Sequence, residues 1–304
     1  MPLQRTRNIM KQRIGEQERF ALALIAPAVL ILILFQIVPI LIGANASFRD
    51  WALQDPKKTW VGLAQYRAVL SDPAFMQIVL PNTFVFMLLS VGLSLLFGLS
   101  LALLLDRGFK GQKLVQTVLL VPLMVAPVVA AIMLRWMFND QFGIVNVVVQ
   151  ALGFEAVPWL AQRWSAFAVI VLADVWLWTP WFMVLLLAGL QSLPKQPFEA
   201  AAIDGASRWR TFRYITLPLL RPVMVVCVVI RSIDSFRTFD VVWTLTAGGP
   251  ARSTELFSLY AYVEAFMTLD FGKGSAAAIL GGFIILVIGL LLYRAMERVI
   301  RVSK

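Results

Sequence analysis

Histidine is absent from this 304-residue chain, and cysteine occurs once, at Cys227. Without histidine the chain cannot form a Ser-His-Asp triad, a Cys-His dyad, an HExxH zinc site or an imidazole relay. A single cysteine excludes an intrachain disulfide framework and a metal site with several thiolates. Cys227 stands in an apolar run, where we interpret it as a small packed residue rather than a nucleophile. The sequence therefore predicts no catalytic residues and no metal ligands.

Charged residues are also scarce, at 14% of the chain against 60% hydrophobic residues. Soluble domains have about 25% charged and about 45–50% apolar residues, and a soluble domain of the present composition would expose large apolar patches. Disorder requires the opposite composition, with few hydrophobic residues. The composition therefore indicates a membrane protein. The net charge of +10 suggests nucleic-acid binding at first sight, so the location of the charges decides its meaning.

Six stretches are long and apolar enough to cross a bilayer, which takes about 20 residues of helix. They are Phe20–Ile42, Pro81–Leu105, Leu114–Phe138, Ser165–Leu190, Leu219 to about Leu245, and Ser275–Tyr293. The fifth stretch is the least regular, because its second half carries four charged residues. The prediction is an all-α integral membrane protein with six transmembrane helices and both termini on one side.

The basic residues cluster on that side. If both termini are cytoplasmic, the cytoplasmic pieces are 1–19, 106–113, 191–221 and 294–304, with 17 basic and six acidic residues. The remainder holds 10 basic and 11 acidic residues. This asymmetry follows the positive-inside rule, so the net charge is an orientation signal and we expect no nucleic-acid partner. Cleavage of the first span as a signal peptide is the alternative, but its apolar run exceeds the usual 7–15 residues or so.

A nucleotide site is missing as well. The chain has no GxxxxGK[ST] loop, and no two carboxylates within the predicted spans have the four-residue spacing that suits a proton relay. Active transport by this chain would therefore take its energy from a partner protein.

The connection between the fourth and fifth spans, about 191–218, has the pattern of two short helices. Pro197 suits the first turn of one helix and Gly205 suits its C-terminal end. Ser207 can cap a second helix running to Ile215, and Pro218 marks its junction with the membrane span. We expect a compact helical projection with small residues at its tip. An ordinary amphipathic loop is the alternative interpretation.

The same segment carries a family motif. Glu-Ala-Ala at 199–201, glycine six positions after the glutamate, and Ile-x-Leu-Pro nine residues later resemble the EAA motif of ABC-importer permease subunits. Ala-Ile-Asp-Gly-Ala at 202–206, Ile-Thr-Leu-Pro-Leu-Leu-Arg-Pro at 215–222 and Thr-Ala-Gly-Gly-Pro at 246–250 resemble the sugar-importer branch, which includes the larger membrane subunit of the maltose importer. The similarity runs from about residue 80 to the end.

The resemblance implies a coupling helix that docks on an ATPase subunit and passes its closure to the membrane helices. The residues it assigns to this role are Glu199, Ala200, Ala201, Ala202, Asp204, Gly205, Ala206, Arg210, Ile215, Leu217 and Pro218. It further implies a second homologous permease, with a heterodimer favoured, two ATPase subunits holding ATP and Mg, and an external solute-binding protein. The chain itself would bind no cofactor and would lie in the bacterial cytoplasmic (inner) membrane.

The resemblance also implies a division of the chain into three segments. Residues 1–19 would be a cytoplasmic segment, 20–80 the first span with an external cap, and 81–304 the permease core with five spans and the EAA loop. The external stretches 43–80 and the region of 248–250 are the candidates for touching the solute-binding protein.

Two spans carry candidate solute-pathway residues, since ionisable groups inside a membrane are costly and usually functional. Asp174, Trp178 and Trp181 have the i, i+4, i+7 spacing of one helical face, with Leu177 beside them. Carboxylates accept hydrogen bonds from sugar hydroxyls, and indoles stack on sugar rings. An interfacial aromatic belt is the alternative for the two tryptophans.

In the fifth span, Arg231, Asp234, Ser235 and Thr238 have the same one-face spacing, and the first two can pair. Arg237 and Asp240 lie elsewhere around the helix, as a structural pair. Mutual neutralisation of all four charges is the alternative interpretation.

The maltose-importer subunit has mostly amides and aromatic residues at these places, so the charges put maltose itself in doubt. A polyol, another glycoside, or a sugar with a charged group facing Arg231 remains open. An ion-coupled secondary transporter is a rival function, although it usually shows an internal repeat, which we do not find. A lipid-modifying membrane enzyme is a second rival, weakened by the lack of histidine.

Overall fold

The computed structural model describes residues 20–302, so the N-terminal segment 1–19 lies outside the described part of the chain. In chain order the elements are α1 (Phe20–Ala46), β1 (Arg49–Ala52), β2 (Asp55–Trp60), α2 (Ala64–Ser71), α3 (Phe75–Asp106), α4 (Gln112–Met124), α5 (Pro127–Met137), α6 (Ile144–Ala151), α7 (Arg163–Gln191), α8 (Gln196–Ile203), α9 (Arg208–Phe236), α10 (Asp240–Thr246), α11 (Phe257–Tyr262) and α12 (Phe271–Val302). Five of them, α1, α3, α7, α9 and α12, contain a stretch long and apolar enough to cross a membrane.

The third predicted span, Leu114–Phe138, is not one straight helix. It consists of α4 and α5, whose axes differ by 96°, so the pair is either a broken span or a re-entrant segment. Val125 and Ala126 between them are extended, with ψ values of 131° and 137°. Because the ring of Pro127 disfavours the helical conformation of the residue before it, the helix breaks at this point. The chain therefore has five candidate spans, or six if the bent pair counts as one.

The fifth predicted span was wrong at both ends. The helix α9 begins at Arg208 and ends at Phe236, rather than running from Leu219 to about Leu245. Its continuation is a separate short helix, α10, after a turn at 237–239. The charged residues of this region therefore lie at the end of a helix and in the turn after it.

Three spans each contain a proline that is preceded by a π-helical turn. Pro218 was expected to mark the boundary between two helices, but α9 passes through it. A π turn over Phe212–Thr216 ends two residues before this proline. The turns Ile33–Ile37 and Phe75–Val79 likewise end two residues before a proline, namely Pro39 and Pro81. A wider turn accommodates the proline ring and its missing N–H, so the helix continues.

The predicted cap, residues 43–80, is a small folded unit, and it includes the only strands among residues 20–302. The strands β1 and β2 form an antiparallel hairpin with Arg49 opposite Trp60. The turn between the two strands is bound to the segment before α12, because the Leu53 N–H donates to the Leu269 carbonyl at 3.0 Å. The ring of Phe48 stacks on Trp60 with centroids 5.3 Å apart. The hairpin is the exception to the predicted all-α architecture.

The helices α3 and α7 form the most extensive helix pair of the structure. They approach closely at Gly98, where an added Cβ would lie 2.4 Å from the Phe182 Cβ and 3.0 Å from the Met183 backbone nitrogen. A backbone atom and a Cβ cannot rotate away, so any side chain at this position would push the helices apart.

We expect Gly98→Ala to lower the free energy of unfolding by about 1–3 kcal/mol, the usual cost of overpacking a core. The control is Gly92→Ala on the same helix, where an added Cβ meets nothing within 4 Å. The measurement is the thermal unfolding midpoint of the detergent-solubilised protein. Equal midpoints for both variants would show that α3 and α7 do not approach as closely as described.

Candidate functional site

A buried ion pair joins three spans. Asp174 on α7 accepts a hydrogen bond and an ion pair from the Arg231 guanidinium on α9, and a second hydrogen bond from the Ser90 hydroxyl on α3. Asp174 and Arg231 are each 1% exposed, and Ser90 is fully buried. A charge inside a membrane protein is costly unless it is paired, and each of these charges has a direct partner. We call Ser90, Asp174 and Arg231, together with Trp178 and Asp234, the charged junction.

The two remaining members of the charged junction border the arginine on its other sides. The guanidinium carbon of Arg231 lies 4.4 Å from the ring centroid of Trp178, a cation–π contact. Its Nη1 donates to Asp234 Oδ2 at 2.8 Å, so the predicted i, i+3 pair is confirmed. The Asp234 side chain is 48% exposed, unlike Asp174. The junction therefore has a closed side at Asp174 and an open side at Asp234.

Within residues 20–302, the side chains of the other predicted pathway residues form no hydrogen bond or ion pair with Asp174, Arg231 or Asp234. Trp181 is half-buried and its ring makes an edge contact with Trp178, with centroids 6.5 Å apart. Leu177 packs in the apolar core between α5, α7 and α10. Ser235 is buried and donates to the Ser232 carbonyl at 3.1 Å. Thr238 does not share the predicted helical face, because α9 ends at Phe236.

The expected pairing of Arg237 with Asp240 is absent. Both side chains are exposed, and no ion pair joins them within residues 20–302. The helix ends between them, so the i, i+3 spacing that brings such residues together on one helix does not apply.

Sequence reasoning missed Ser90 and the long-range ion pair. A serine in the apolar run of α3 carries no signal of its own, and nothing in the spacing of Asp174 and Arg231, 57 positions apart, marks them as partners. A general rule was available, since a buried carboxylate and a buried guanidinium in different spans usually neutralise each other.

The second candidate site is the helical projection, which comprises α8, the turn after it and the start of α9. Gly205 ends α8 with a φ of +67°, and the Ala206 N–H donates back to the Ala201 carbonyl at 2.9 Å. This is the hydrogen bond of a glycine-terminated helix. Ser207 caps the next helix, since its Oγ accepts from the Arg210 N–H at 3.4 Å. The predicted helix break at Gly205 and the cap at Ser207 are confirmed, but the second helix is not short, because it continues through Pro218 to Phe236.

Exposure on the projection differs from the simple expectation of small residues at its tip. Glu199, Ala200, Ala202, Asp204, Gly205, Arg210 and Pro218 are exposed, Ala206, Ile215 and Leu217 are half-buried, and Ala201 is buried. Two large apolar side chains also project, with Ile203 87% and Trp209 70% exposed. Sequence reasoning missed both, although an isoleucine and a tryptophan flanking a glycine break were a readable signal of a contact surface.

A pocket of about 550 Å³ lies between the projection and the ends of α3 and α7. Asp106, Lys195 and Glu199 contribute charged groups to its lining, beside the apolar side chains of Leu190 and Phe198. Glu199 therefore borders a concave surface in addition to its solvent-exposed part.

A polar cluster fixes the cap at 43–80. Asp72 accepts hydrogen bonds from the Tyr260 hydroxyl at 2.9 Å and from Lys273 Nζ at 3.1 Å, and Glu264 pairs with the same ammonium at 3.2 Å. Burial acts to raise the pKa of Asp72, but these hydrogen bonds and one from the Ala74 N–H outweigh it and hold the pKa below 3.8. Burial raises the pKa of Tyr260. The cluster therefore ties α2 to α11 and α12 through a carboxylate that stays ionised.

Comparison with known proteins places these features in context. A family model described as "Binding-protein-dependent transport system inner membrane component" matches residues 94–302. The trehalose/maltose transport system permease protein MalF of Thermococcus litoralis is 40% identical over 260 residues, which cover 84% of this chain and 86% of that protein. The sulfoquinovosyl glycerol transport system permease protein SmoG of Agrobacterium fabrum is 36% identical over 260 residues, covering 85% and 84%.

The fold has a solved counterpart as well. A chain from the crystal structure of a bacterial ABC transporter that imports the acidic polysaccharide alginate superposes with a TM-score of 0.84. The sequence identity is 23%, and the match covers 94% of this chain and 98% of the other. At this identity the likeness concerns the fold.

Proposed function

Since the chain belongs to the family of binding-protein-dependent transport system inner membrane components and is a permease of an ABC importer, we propose that it conducts a carbohydrate past the open side of the charged junction. The ATPase is a separate subunit in such a transporter. The observation that carries the proposal is the half-exposed Asp234 carboxylate, which is bound to Arg231. The Arg231 guanidinium lies against the Trp178 ring, and Trp181 makes an edge contact with that ring. A carboxylate accepts hydroxyl hydrogen bonds, and an indole face offers an apolar surface to a sugar ring.

The relatives support a carbohydrate or glycoside as the solute. MalF of Thermococcus litoralis and SmoG of Agrobacterium fabrum are named for trehalose and maltose and for sulfoquinovosyl glycerol, and each covers more than four fifths of this chain. Small-molecule sites combine an apolar lining with a few placed polar groups, and the open side of the charged junction has this composition.

The helical projection is the proposed coupling site for an ATPase subunit. Its exposed Ile203 and Trp209 give an apolar contact surface beside the turn at Gly205, and Glu199 supplies a charge at the edge. Buried apolar anchors supply most of the binding energy in protein interfaces. ATP-driven closure of two ATPase subunits would move the projection, open the pathway outward and admit the solute from a binding protein, and hydrolysis would return it inward.

A second, homologous permease is the proposed membrane partner, in a heterodimer. The apolar window of α1 has none of its residues buried within the chain, so its surface is available to lipid and to a neighbouring subunit. Both termini would lie in the cytoplasm of a bacterial cell, because basic residues concentrate in the segments joined to them. The external cap, with Trp60 62% exposed, would face the solute-binding protein.

The test is uptake of radiolabelled trehalose, maltose and related glycosides into vesicles that contain the full transport complex. We expect uptake that requires ATP and the binding protein. Trp178→Ala should raise the half-saturating solute concentration about tenfold, which corresponds to a loss of about 1.4 kcal/mol of binding free energy. Trp178→Phe should restore part of the lost affinity. Trp164→Ala is the control, because this tryptophan lies on the same helix and is 74% exposed. Uptake driven by an ion gradient without ATP would favour a secondary transporter instead.

A further inference from the structure

Arg231 is closed to solute. Its side chain is 1% exposed, its two Nη groups donate to Asp174 and Asp234, and its planar face lies against Trp178. The remaining donor, Nε–H, is buried and has no hydrogen-bond partner within residues 20–302. The guanidinium therefore orients its neighbours and is not available to an anionic group of the cargo.

Asp234 is the part of the junction that is open. Its Oδ2 is bound to Arg231, whereas its Oδ1 forms no hydrogen bond or ion pair within the described part of the chain. An ionised carboxylate is too costly to leave half-exposed to lipid, so its free side faces a water-filled space or an adjoining subunit. An ionised carboxylate only accepts hydrogen bonds, so it suits hydroxyl groups and repels other anions.

The net charge of the charged junction is negative, like the charge of Asp234 itself. Ion pairs join three charged residues here, Asp174, Arg231 and Asp234, and their formal charges sum to −1. Since Arg231 is already neutralised by Asp174, the charge presented at the open side is that of Asp234.

We propose that Asp234 is a specificity-determining residue that makes the pathway accept neutral, hydroxyl-rich solutes and disfavour anionic ones. This inference rests on the proposed carbohydrate function and adds the charge of the cargo. The fold alone leaves that charge open, because the solved transporter of similar fold imports an acidic polysaccharide. The interpretation in which Arg231 meets a charged sugar substituent is thereby replaced.

The experiment measures solute binding to the purified transport complex without its binding protein, whose own selectivity would otherwise dominate. Saturation-transfer NMR detects weak ligands in equimolar mixtures of trehalose, maltose and cellobiose with their uronate analogues, which carry one CH₂OH oxidised to a carboxylate. We expect the neutral member to bind about tenfold more tightly, as like charges a few ångströms apart repel at this level in a partly hydrated site.

Asp234→Asn should reduce the ratio of the affinity for the neutral sugar to the affinity for the uronate from about tenfold to about threefold or less. Asp234→Glu should keep the ratio of the unaltered complex. Asp240→Asn is the matched control, since this carboxylate is exposed, starts α10 and has no partner in the junction; its ratio should equal that of the unaltered complex. A tighter uronate in the unaltered complex, or an unchanged ratio in Asp234→Asn, would overturn the inference. A complex that binds no sugar of either kind, and imports none with its binding protein, would overturn the carbohydrate function itself.

Discussion

Replacing Arg231 by methionine is expected to destabilise the folded protein by about 3–5 kcal/mol, the cost of leaving a buried ion-pair partner alone. Asp174 would then keep only the Ser90 hydroxyl in a site that is 1% exposed. The measurement is the thermal unfolding midpoint in detergent, together with the yield of inserted protein. Arg237→Met is the control, since this arginine is exposed in the turn after the same helix.

The double variant Asp174→Leu with Arg231→Met separates the cost of an unpaired charge from the value of the pair. Apolar replacements for a buried ion pair are often neutral or stabilising. We therefore expect the double variant to recover at least half of the stability lost in Arg231→Met. A loss equal to the sum of the two single variants would contradict the assignment of Asp174 and Arg231 as direct partners.

Replacing Gly205 by valine is expected to lower ATP-dependent solute uptake at least tenfold while the protein remains inserted in the membrane. The φ of +67° at Gly205 is strained for a β-branched residue, at a cost of about 1–3 kcal/mol, which displaces the turn between α8 and α9. An added Cβ meets nothing within 4 Å, so a clash would not explain the result.

Gly205→Asn is the matched control for this prediction, because asparagine adopts positive φ more readily than other non-glycine residues. Uptake into vesicles and ATP hydrolysis by the complex would be measured for both variants. We expect the asparagine variant to transport within about threefold of the unaltered protein, since its strain is smaller. Full transport by Gly205→Val would show that coupling does not depend on this turn.

The sequence predicted most of the helices because their signals are local. Apolar runs of sufficient length marked five spans, and Pro197, Gly205 and Ser207 marked the projection through their own backbone preferences. The same local rules predicted the pairing of Arg231 with Asp234, three residues apart on one helix.

Two kinds of feature were not predicted, namely breaks inside apolar stretches and contacts between distant residues. The apolar composition of 114–138 indicates one span, yet the conformation before Pro127 bends it by 96°. Hydropathy alone did not reveal the end of α9 at Phe236, because α10 continues the apolar pattern after the turn. The Asp174–Arg231 pair depends on how α7 and α9 pack, which no spacing rule describes.

The projection and the charged junction are connected by unbroken helix on one side. Arg231 lies 26 positions beyond Gly205, almost all of them within α9, which corresponds to about 39 Å at 1.5 Å per residue. The helix α9 therefore connects the turn at Gly205 directly to the ion pair, and the ion pair binds the far end of α9 to α7. A rotation of the projection about this turn would therefore tilt α9 at the ion pair, and it would change the orientation of the Asp234 carboxylate without any change within α9.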